Sequence, residues 1–168
     1  MTEPGTGSDL QGVRTSAVLE GDTYRINGSK TFITNGQLAN LIVVVCKTDK
    51  SKGAQGISLL MVETDEVTGF RRGRNLDKIG MDAQDTSELF FDDLRVPASS
   101  MLGEEGKGFE LMMTKLAQER LAQAIRSATV AETVVQYTVE YTAQRKAFGK
   151  TIGDMQNTQF KLAELQTE

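Results

Sequence analysis

The chain has 168 residues, of which 39% are apolar, a formal net charge of −4, one cysteine and no histidine. The missing histidine excludes a Ser-His-Asp triad, a Cys-His pair and the common zinc sites, so no metal centre is expected. The single cysteine excludes an intrachain disulfide, and the negative charge gives no reason to expect nucleic-acid binding.

The first two thirds of the chain has the composition of a β domain. Of the 16 glycines, 14 lie at or before Gly108, and both prolines lie there too. Asn27-Gly28 is the strongest short hairpin signal and predicts a turn. Alternating or β-branched segments predict strands at Val13 to Leu19, Tyr24 to Ile26, Phe32 to Thr34, Leu41 to Cys46, Ile57 to Val62 and Ser87 to Val96, with turns at Glu20-Gly21-Asp22 and Asn35-Gly36. Six such strands predict an antiparallel β-barrel or sandwich.

The last third is predicted to be helical. No glycine or proline occurs between Phe109 and Phe148, and apolar residues recur there at helical spacing. A helix of that length would extend about 60 Å. Gly149 and Gly153 permit a reversal, and Asp154 is the predicted N-cap of a second helix. The fold class is therefore α+β, a β domain followed by a long helical hairpin.

Such a hairpin would leave apolar surface unburied, which leaves two interpretations. Either the chain is a fragment of a larger helical bundle, the interpretation that we favour, or two copies of the hairpin dimerise. The longest apolar run, Leu41 to Cys46, has six residues against the ~20 of a membrane helix, so no membrane span is expected. The lone cysteine and the absence of a targeting segment predict a soluble protein of a reducing compartment.

A glycine-interrupted loop, Thr2 to Asp9, begins the chain. Glycines of this kind let backbone N–H groups approach a ligand, although most such loops are ordinary turns. The loop is neither a P-loop nor a dinucleotide fingerprint, because it lacks the Gly-Lys-Ser/Thr sequence of the former and the strand-to-helix position of the latter. Taken alone, it does not identify a ligand.

Several motifs occur in a fixed order along the whole chain. They are Met1-Thr2-Glu3-Pro4-Gly5-Thr6-Gly7-Ser8-Asp9, Phe32-Ile33-Thr34-Asn35-Gly36, Asp92 to Pro97, Leu102 to Phe109, Gln118-Glu119-Arg120, Gln144 to Lys150, Gln156 and Lys161-Leu162-Ala163-Glu164. This series resembles the acyl-CoA dehydrogenase family, most closely its long-chain branch. The resemblance implies that residues 1–103 form the middle β-domain and residues 104–168 the start of a C-terminal four-helix domain.

The resemblance also implies residues that bind FAD. One group lines the flavin and the other reaches its pyrophosphate from a neighbouring subunit. Most family members have tryptophan at the position of Phe32, whereas the long-chain branch, like this chain, has phenylalanine. Either aromatic can stack on a flavin. Without the resemblance, Phe32 would be read as a core residue and Arg145 as part of a solvated helix face. The implied residues are Met1, Thr2, Gly7, Ser8, Phe32, Ile33 and Thr34 for the first group, and Arg145 and Gln156 for the second.

Glu119 is the implied catalytic base, which removes the α-proton of the substrate. Like the long-chain and isovaleryl branches, this chain has a glutamate immediately before an arginine on a predicted helix. A carboxylate desolvated by flavin and acyl chain has its pKa raised towards the working range. On sequence alone, a surface Glu-Arg pair is the commoner interpretation.

Ser8, Gln118 and Arg120 are implied by the resemblance to contact the acyl-CoA. The basic stretch Arg71 to Lys78 either meets the CoA phosphates or, as we favour, forms a solvated turn.

The function implied is FAD-dependent α,β-dehydrogenation of a long-chain acyl-CoA to a trans-2-enoyl-CoA in fatty acid β-oxidation. Electrons would pass to an electron-transferring flavoprotein, and the enzyme would be a homo-oligomer, a dimer or tetramer. The expected location is the cytoplasm, or the mitochondrial matrix in a eukaryote. Two alternatives remain, an acyl-CoA oxidase-like enzyme that uses oxygen and a flavin-free binding or scaffold module.

Overall fold

The computed structural model describes all 168 residues, which divide into two compact units, Met1–Thr114 and Lys115–Glu168. The first unit contains six strands, and the division falls within a long helix. The strands are β1 (Ser16–Glu20), β2 (Thr23–Thr34), β3 (Leu41–Lys47), β4 (Ile57–Glu63), β5 (Phe70–Asn75) and β6 (Thr86–Pro97). The remaining elements are α1 (Gly108–Gln144), the short strands β7 (Lys146–Ala147) and β8 (Lys150–Thr151), and α2 (Gln156–Thr167), with 3-10 turns at Leu10–Gly12, Gly53–Gly56, Ala98–Ser100 and Ile152–Asp154.

The six strands form one sheet in the order β4-β3-β1-β2-β6-β5. All neighbouring pairs are antiparallel except β1 and β3, which are joined as a parallel pair at Ser16 and Lys47. The structure confirms the predicted α+β fold class. The sheet ends at β4 and β5, which do not pair with each other, so the predicted barrel is not closed. The predicted strands at Leu41 to Cys46 and Ile57 to Val62 are confirmed.

The predicted turn at Asn27-Gly28 is wrong, because β2 continues through both residues. Across from them, β6 contains one extra residue, since Ile26 pairs with Leu94 and Gly28 with Phe91. Glycine is needed at position 28 for packing, because an added Cβ would lie 2.7 Å from the Cα of Thr15. The β1–β2 hairpin turn at Gly21 and Asp22 is confirmed, with Gly21 at φ 67°.

The core of the first unit lies in two clusters on the sheet. The larger contains buried residues from five of the six strands. The smaller lies over β3 and β4 and is covered by Phe109 and Met112 from the first turns of α1. Gly106 N–H donates to Ser58 Oγ (2.8 Å), which fixes the chain just before this helix. The larger cluster comprises Ala17, Tyr24, Ile26, Val44, Cys46, Leu60, Val62, Leu89, Phe91, Leu94 and Val96.

The second unit has almost no core of its own. Thr142 is its only buried residue, and apolar side chains along α1 and α2 are exposed. The long predicted helix is confirmed, but Asp154 does not cap the second one. Instead, Asp154 accepts from Thr151 N–H (3.0 Å) and Oγ1 (2.8 Å) in the preceding 3-10 turn. Neither α-helix has a stretch that is both long and apolar enough to cross a lipid bilayer.

Candidate functional site

The chain begins with a tight turn that fixes Glu3. Its backbone N–H donates to the carbonyl of Thr6 (2.9 Å), and the Thr6 N–H donates back to the Glu3 carbonyl (3.0 Å). Pro4 occupies the first corner of the turn, a position that its fixed φ favours. The turn therefore directs the Glu3 side chain towards the sheet, where it is buried.

Glu3 forms a buried ion pair with Lys30 of β2. Lys30 Nζ lies 2.8 Å from Glu3 Oε1 and also donates to the carbonyl of Met1 (3.1 Å). The backbone N–H groups of Arg14 and Thr15 donate to Glu3 Oε2 and Oε1, at 2.7 and 3.0 Å. Burial by itself would raise the pKa of Glu3, but the bonds from Lys30 and these N–H groups outweigh it, so the pKa lies below its usual value.

Immediately after Lys30, a bulge in β2 turns Phe32 outwards. Lys30 pairs with Leu89 and Ile33 with Ser87, so β2 has one residue more than β6 between these pairs. Phe32 has φ 57°, rare for a side chain of this size, and 66% of it is exposed. Thr31 N–H donates to the carbonyl of Thr2 (3.0 Å). This bond places residues 1–3, hereafter the N-terminal segment, beside the bulge.

The end of β2 is held by a second set of bonds. Ile33 packs against the larger core cluster, whereas Thr34 is exposed. The following turn, with Asn35 at φ 62°, is fixed by Asp85, whose carboxylate accepts from Gln37 N–H (2.8 Å). Phe32 and Thr34 are thus exposed on a stretch of β2 that is held by the bonds of Lys30 on one side and by the turn fixed by Asp85 on the other.

Gly7 and Ser8 lie in the exposed part of the N-terminal loop. A Cβ at Gly7 would meet no atom within 4 Å, so packing within the chain does not require glycine there. Ser8 is bound only through its carbonyl, which accepts from Leu10 N–H (3.1 Å), and its hydroxyl has no partner. The structure therefore brings Met1 and Thr2 together with the bulge and leaves Gly7 and Ser8 further along the same loop.

In the second unit, Gln118, Glu119 and Arg120 are exposed on α1. None of them takes part in an ion pair or a side-chain hydrogen bond, so Glu119 and Arg120 do not form the surface pair considered from the sequence. Leu121, an apolar residue two positions after Glu119 on α1, is 60% exposed. Desolvation of Glu119 is therefore not supplied by this chain.

Arg145 and Gln156 lie at the two ends of the connection between α1 and α2. The carbonyl of Arg145 accepts from Ile152 N–H (2.9 Å), which closes the β7–β8 hairpin, and the Arg145 side chain is exposed without a carboxylate partner. Gln156 is the first residue of α2 and is also exposed. Phe148, at the tip of the hairpin, has φ 54°.

Arg145, which follows α1 directly, is also far from Glu119 on that helix. At about 1.5 Å per residue, the 26-residue step from Glu119 to Arg145 corresponds to about 39 Å. These two predicted site residues of the second unit therefore cannot contact the same small group.

The basic stretch around Arg71 is not a solvated turn, because three of its arginines lie on β5. Arg72 donates to the carbonyl of Ala39 (2.9 Å) and to Thr64 Oγ1 (3.0 Å). The Arg71 guanidinium lies 4.1 Å from the centre of the Phe90 ring. Both side chains are thus held by their own domain.

Two polar residues of the site were not predicted, namely Glu3 and Lys30. The sequence does contain a signal for Lys30. Tyr24, Ile26 and Lys30 lie at even positions of β2, and Tyr24 and Ile26 are core residues. A lysine on the inward side of an alternating strand needs a buried partner.

Comparison with known proteins identifies the family. The model of the acyl-CoA dehydrogenase middle domain matches residues 1–94, and the model of the acyl-CoA dehydrogenase C-terminal domain matches residues 106–168. The chain therefore belongs to the acyl-CoA dehydrogenase family.

Three relatives illustrate the similarity. The mitochondrial long-chain specific acyl-CoA dehydrogenase of Sus scrofa is 53% identical over 99% of this chain and 39% of its own length. An acyl-CoA dehydrogenase structure from Geobacillus kaustophilus has a TM-score of 0.95 and 56% identity, over 99% of this chain and 44% of that one. A chain in a structure of the electron transferring flavoprotein of Acidaminococcus fermentans, described in connection with flavin-based electron bifurcation, has a TM-score of 0.92 and 42% identity, over 99% and 43%. The chain thus spans about two fifths of the relatives that it matches.

Proposed function

We propose that this chain is the middle and early C-terminal part of an FAD-dependent dehydrogenase that oxidises long-chain acyl-CoA to trans-2-enoyl-CoA. The observation that carries the proposal is the bulge that exposes Phe32 beside the N-terminal segment. A bulky residue at positive φ is strained, and strain of this kind clusters at functional sites. The 53% identity with a long-chain specific relative supports the substrate class.

The residues of the first unit fit a flavin ring. Phe32 offers an exposed aromatic surface for stacking, and the anchored strand fixes its position. Thr2 is held beside it through the Thr31 N–H. Thr2 and Thr34 would hydrogen-bond the ring edge, while Met1, Gly7 and Ile33 would line it and Ser8 would contact the acyl-CoA.

The residues of the second unit fit an anionic part of a cofactor and a base. Arg145 has an exposed guanidinium without a carboxylate partner, and such a planar donor fork matches phosphate oxygens. We assign Arg145 and Gln156 to the FAD pyrophosphate of a neighbouring subunit. Glu119 would take the α-proton on a carboxylate oxygen, and Gln118 and Arg120 would orient the substrate. FAD, when bound, supplies the acceptor for the hydride from the β-carbon.

The proposal includes a partner and an assembly. Arg145 directly follows α1 and lies about 39 Å from Glu119 along the direction of that helix, which supports a homo-oligomer in which the helix and its end serve two different sites. The similarity to a chain from the A. fermentans flavoprotein structure supports transfer of electrons to an electron-transferring flavoprotein. The location proposed is the cytoplasm or the mitochondrial matrix, and the mitochondrial name of the Sus scrofa relative supports the second. We place the domain boundary between residues 103 and 104.

The proposal is tested in a chimera in which residues 1–168 replace the matching segment of the G. kaustophilus enzyme. We expect the purified chimera to be yellow, to carry stoichiometric FAD and to bleach with long-chain acyl-CoA under anaerobic conditions. Glu119→Gln should lower the rate of bleaching about 10²- to 10⁴-fold, while Glu132→Gln, an exposed glutamate on the same helix, should leave it unchanged.

Three results would contradict the proposal. A chimera without flavin would favour a binding or scaffold module. Rapid reoxidation of the reduced flavin by air would favour an oxidase. A near-normal rate in the Glu119→Gln chimera would exclude Glu119 as the base.

A further inference from the structure

The Glu3–Lys30 pair differs from every other ion pair of the protein. Its side chains are 6% and 3% exposed, whereas in the other six pairs every side chain is at least 31% exposed. Exposed pairs contribute little to stability. A buried pair is costly to desolvate, and apolar residues of similar size often stabilise a fold as well or better. The presence of this pair therefore calls for a reason other than stability.

The hydrogen bonds of the pair require a carboxylate. Glu3 Oε1 accepts from Lys30 Nζ and Thr15 N–H, and Glu3 Oε2 accepts from Arg14 N–H. Glutamine has only one acceptor atom at its end, so its NH₂ group would face one of these donors. The site is therefore specific for a charged acceptor with both oxygens engaged.

The pair is located where position matters for the proposed flavin site. Lys30 is the last residue of β2 that pairs with β6 before the bulge at Phe32. The N-terminal segment meets β2 here through the Met1 carbonyl, the Thr2 carbonyl and the Glu3 carboxylate, whose hydrogen bonds to that strand come from Lys30 and Thr31. The N-terminal segment and the Phe32 bulge, which together form the proposed flavin surface, are therefore joined at Lys30 and Thr31.

We propose that Glu3 and Lys30 are positioning residues that hold the N-terminal segment against the Phe32 bulge and so assemble the surface on which the flavin ring would lie. The proposal rests on the proposed function for the identity of the ligand. The ordering of the segment by the pair does not depend on that identity, so the two can be tested separately.

The first experiment measures the ordering of the segment in the 168-residue chain without ligand. Amide hydrogen exchange is followed at Arg14, Thr15 and Thr31, whose N–H groups donate to Glu3 and Thr2. We expect Glu3→Gln and Lys30→Met to lower protection at these amides at least tenfold. Glu20→Gln, which weakens the exposed pair with Arg25 near the other end of β2, should change it less than twofold.

The double variant Glu3→Gln/Lys30→Met separates position from stability. Because it leaves no unpaired buried charge, we expect its melting temperature to recover relative to the single variants while the three amides stay unprotected. The positioning role would be overturned if the three amides in the double variant were as protected as in the unsubstituted chain. It would also be overturned if, across the variants, protection of these amides simply rose and fell with the melting temperature.

The second experiment measures FAD affinity in the chimera, by quenching of flavin fluorescence on addition to the apoprotein. We expect the double variant to raise the Kd for FAD at least tenfold and Glu20→Gln to change it less than twofold. An unchanged Kd together with lost amide protection would overturn the link between the pair and the flavin. Absence of FAD binding in the unsubstituted chimera would instead overturn the proposed function, and the exchange experiment would still decide whether the pair orders the segment.

Discussion

The two units of the chain differ in where their apolar side chains lie. All 15 buried apolar residues belong to Met1–Thr114, whereas in Lys115–Glu168 the single buried residue is Thr142. Burial of apolar surface is the main favourable term in folding. The β unit is therefore stabilised by its own apolar core. The helices of the second unit instead expose the apolar side chains whose burial would stabilise them.

The family relationship gives this difference a meaning. The chain spans about two fifths of the length of its relatives, and the exposed apolar side chains of α1 and α2 lie in the part matched by the C-terminal domain model. We expect further helices to cover them in the complete protein. Two predictions test the contrast between the units and two test the packing of the β unit alone, in order of expected effect.

Hydrogen exchange should show the contrast most strongly. In the 168-residue chain, backbone amides of β2, β3 and β4 should exchange at least about a thousandfold more slowly than those of residues 115–168, because helices without tertiary packing open at little cost. Exchange is measured by mass spectrometry after proteolysis. Equal protection in the two units would show that the helices are stabilised in a way that the structure does not contain.

Shortening one leucine in each unit should have unequal effects. Leu60 is fully buried in the larger core cluster, so Leu60→Ala should lower the free energy of unfolding by about 2–5 kcal/mol. Leu121 is exposed, and Leu121→Ala should change it by less than about 0.5 kcal/mol. Urea denaturation followed by near-UV circular dichroism measures both, and similar values would contradict the contrast.

Two glycines within the β unit should also respond differently to alanine. At Gly28 an added Cβ would meet the backbone of Thr15, so Gly28→Ala should cost about 1–3 kcal/mol. Gly5 has no atom within 4 Å of such a Cβ and no positive φ, so Gly5→Ala should be close to neutral. The same denaturation assay distinguishes them, and tolerance of Gly28→Ala would mean that the backbone at Thr15, just before β1, can move away from β2.

The effect of Cys46 is negligible at neutral pH, where the thiol is protonated in both states, and develops only at high pH. Burial raises the pKa of its thiol to about 12, so the folded protein keeps the thiol protonated while the unfolded chain ionises it above about pH 8.5. The folded state then binds more protons, and its stability should fall between pH 9 and 12, by up to about 1.4 kcal/mol per pH unit from this group. Cys46→Ala should remove that part of the slope, and identical pH profiles would contradict the assignment.

How far the sequence predicts the fold depends on whether the signal is local. The turn at Gly21 and the strand at Leu41 to Cys46 are determined by residues adjacent in sequence. The Asn27-Gly28 signal is equally local, yet it is outweighed by the contact of Gly28 with Thr15. β5 was missed because its side chains do not alternate in polarity, and Arg72 is held by residues from distant positions.

The same distinction applies to the candidate site. Family motifs single out Thr2 and Phe32, but no local pattern predicts that a bulge at positive φ exposes Phe32. The partner of Lys30 is 27 residues away along the chain, so only the folded sheet shows that Glu3 neutralises it. The residue types of the site are thus visible in the sequence, whereas the arrangement that positions them is tertiary.

The uninterrupted course of α1 after Glu119 has a consequence for insertions and deletions. Each residue added to an α-helix turns everything that follows by about 100° and advances it by about 1.5 Å. One inserted residue between Glu119 and the end of the helix at Gln144 would therefore rotate Arg145 by more than a quarter turn relative to Glu119. If both proposed roles hold, the number of residues between them is constrained as tightly as their chemistry, and length variation in homologous chains should be confined to segments outside this helix.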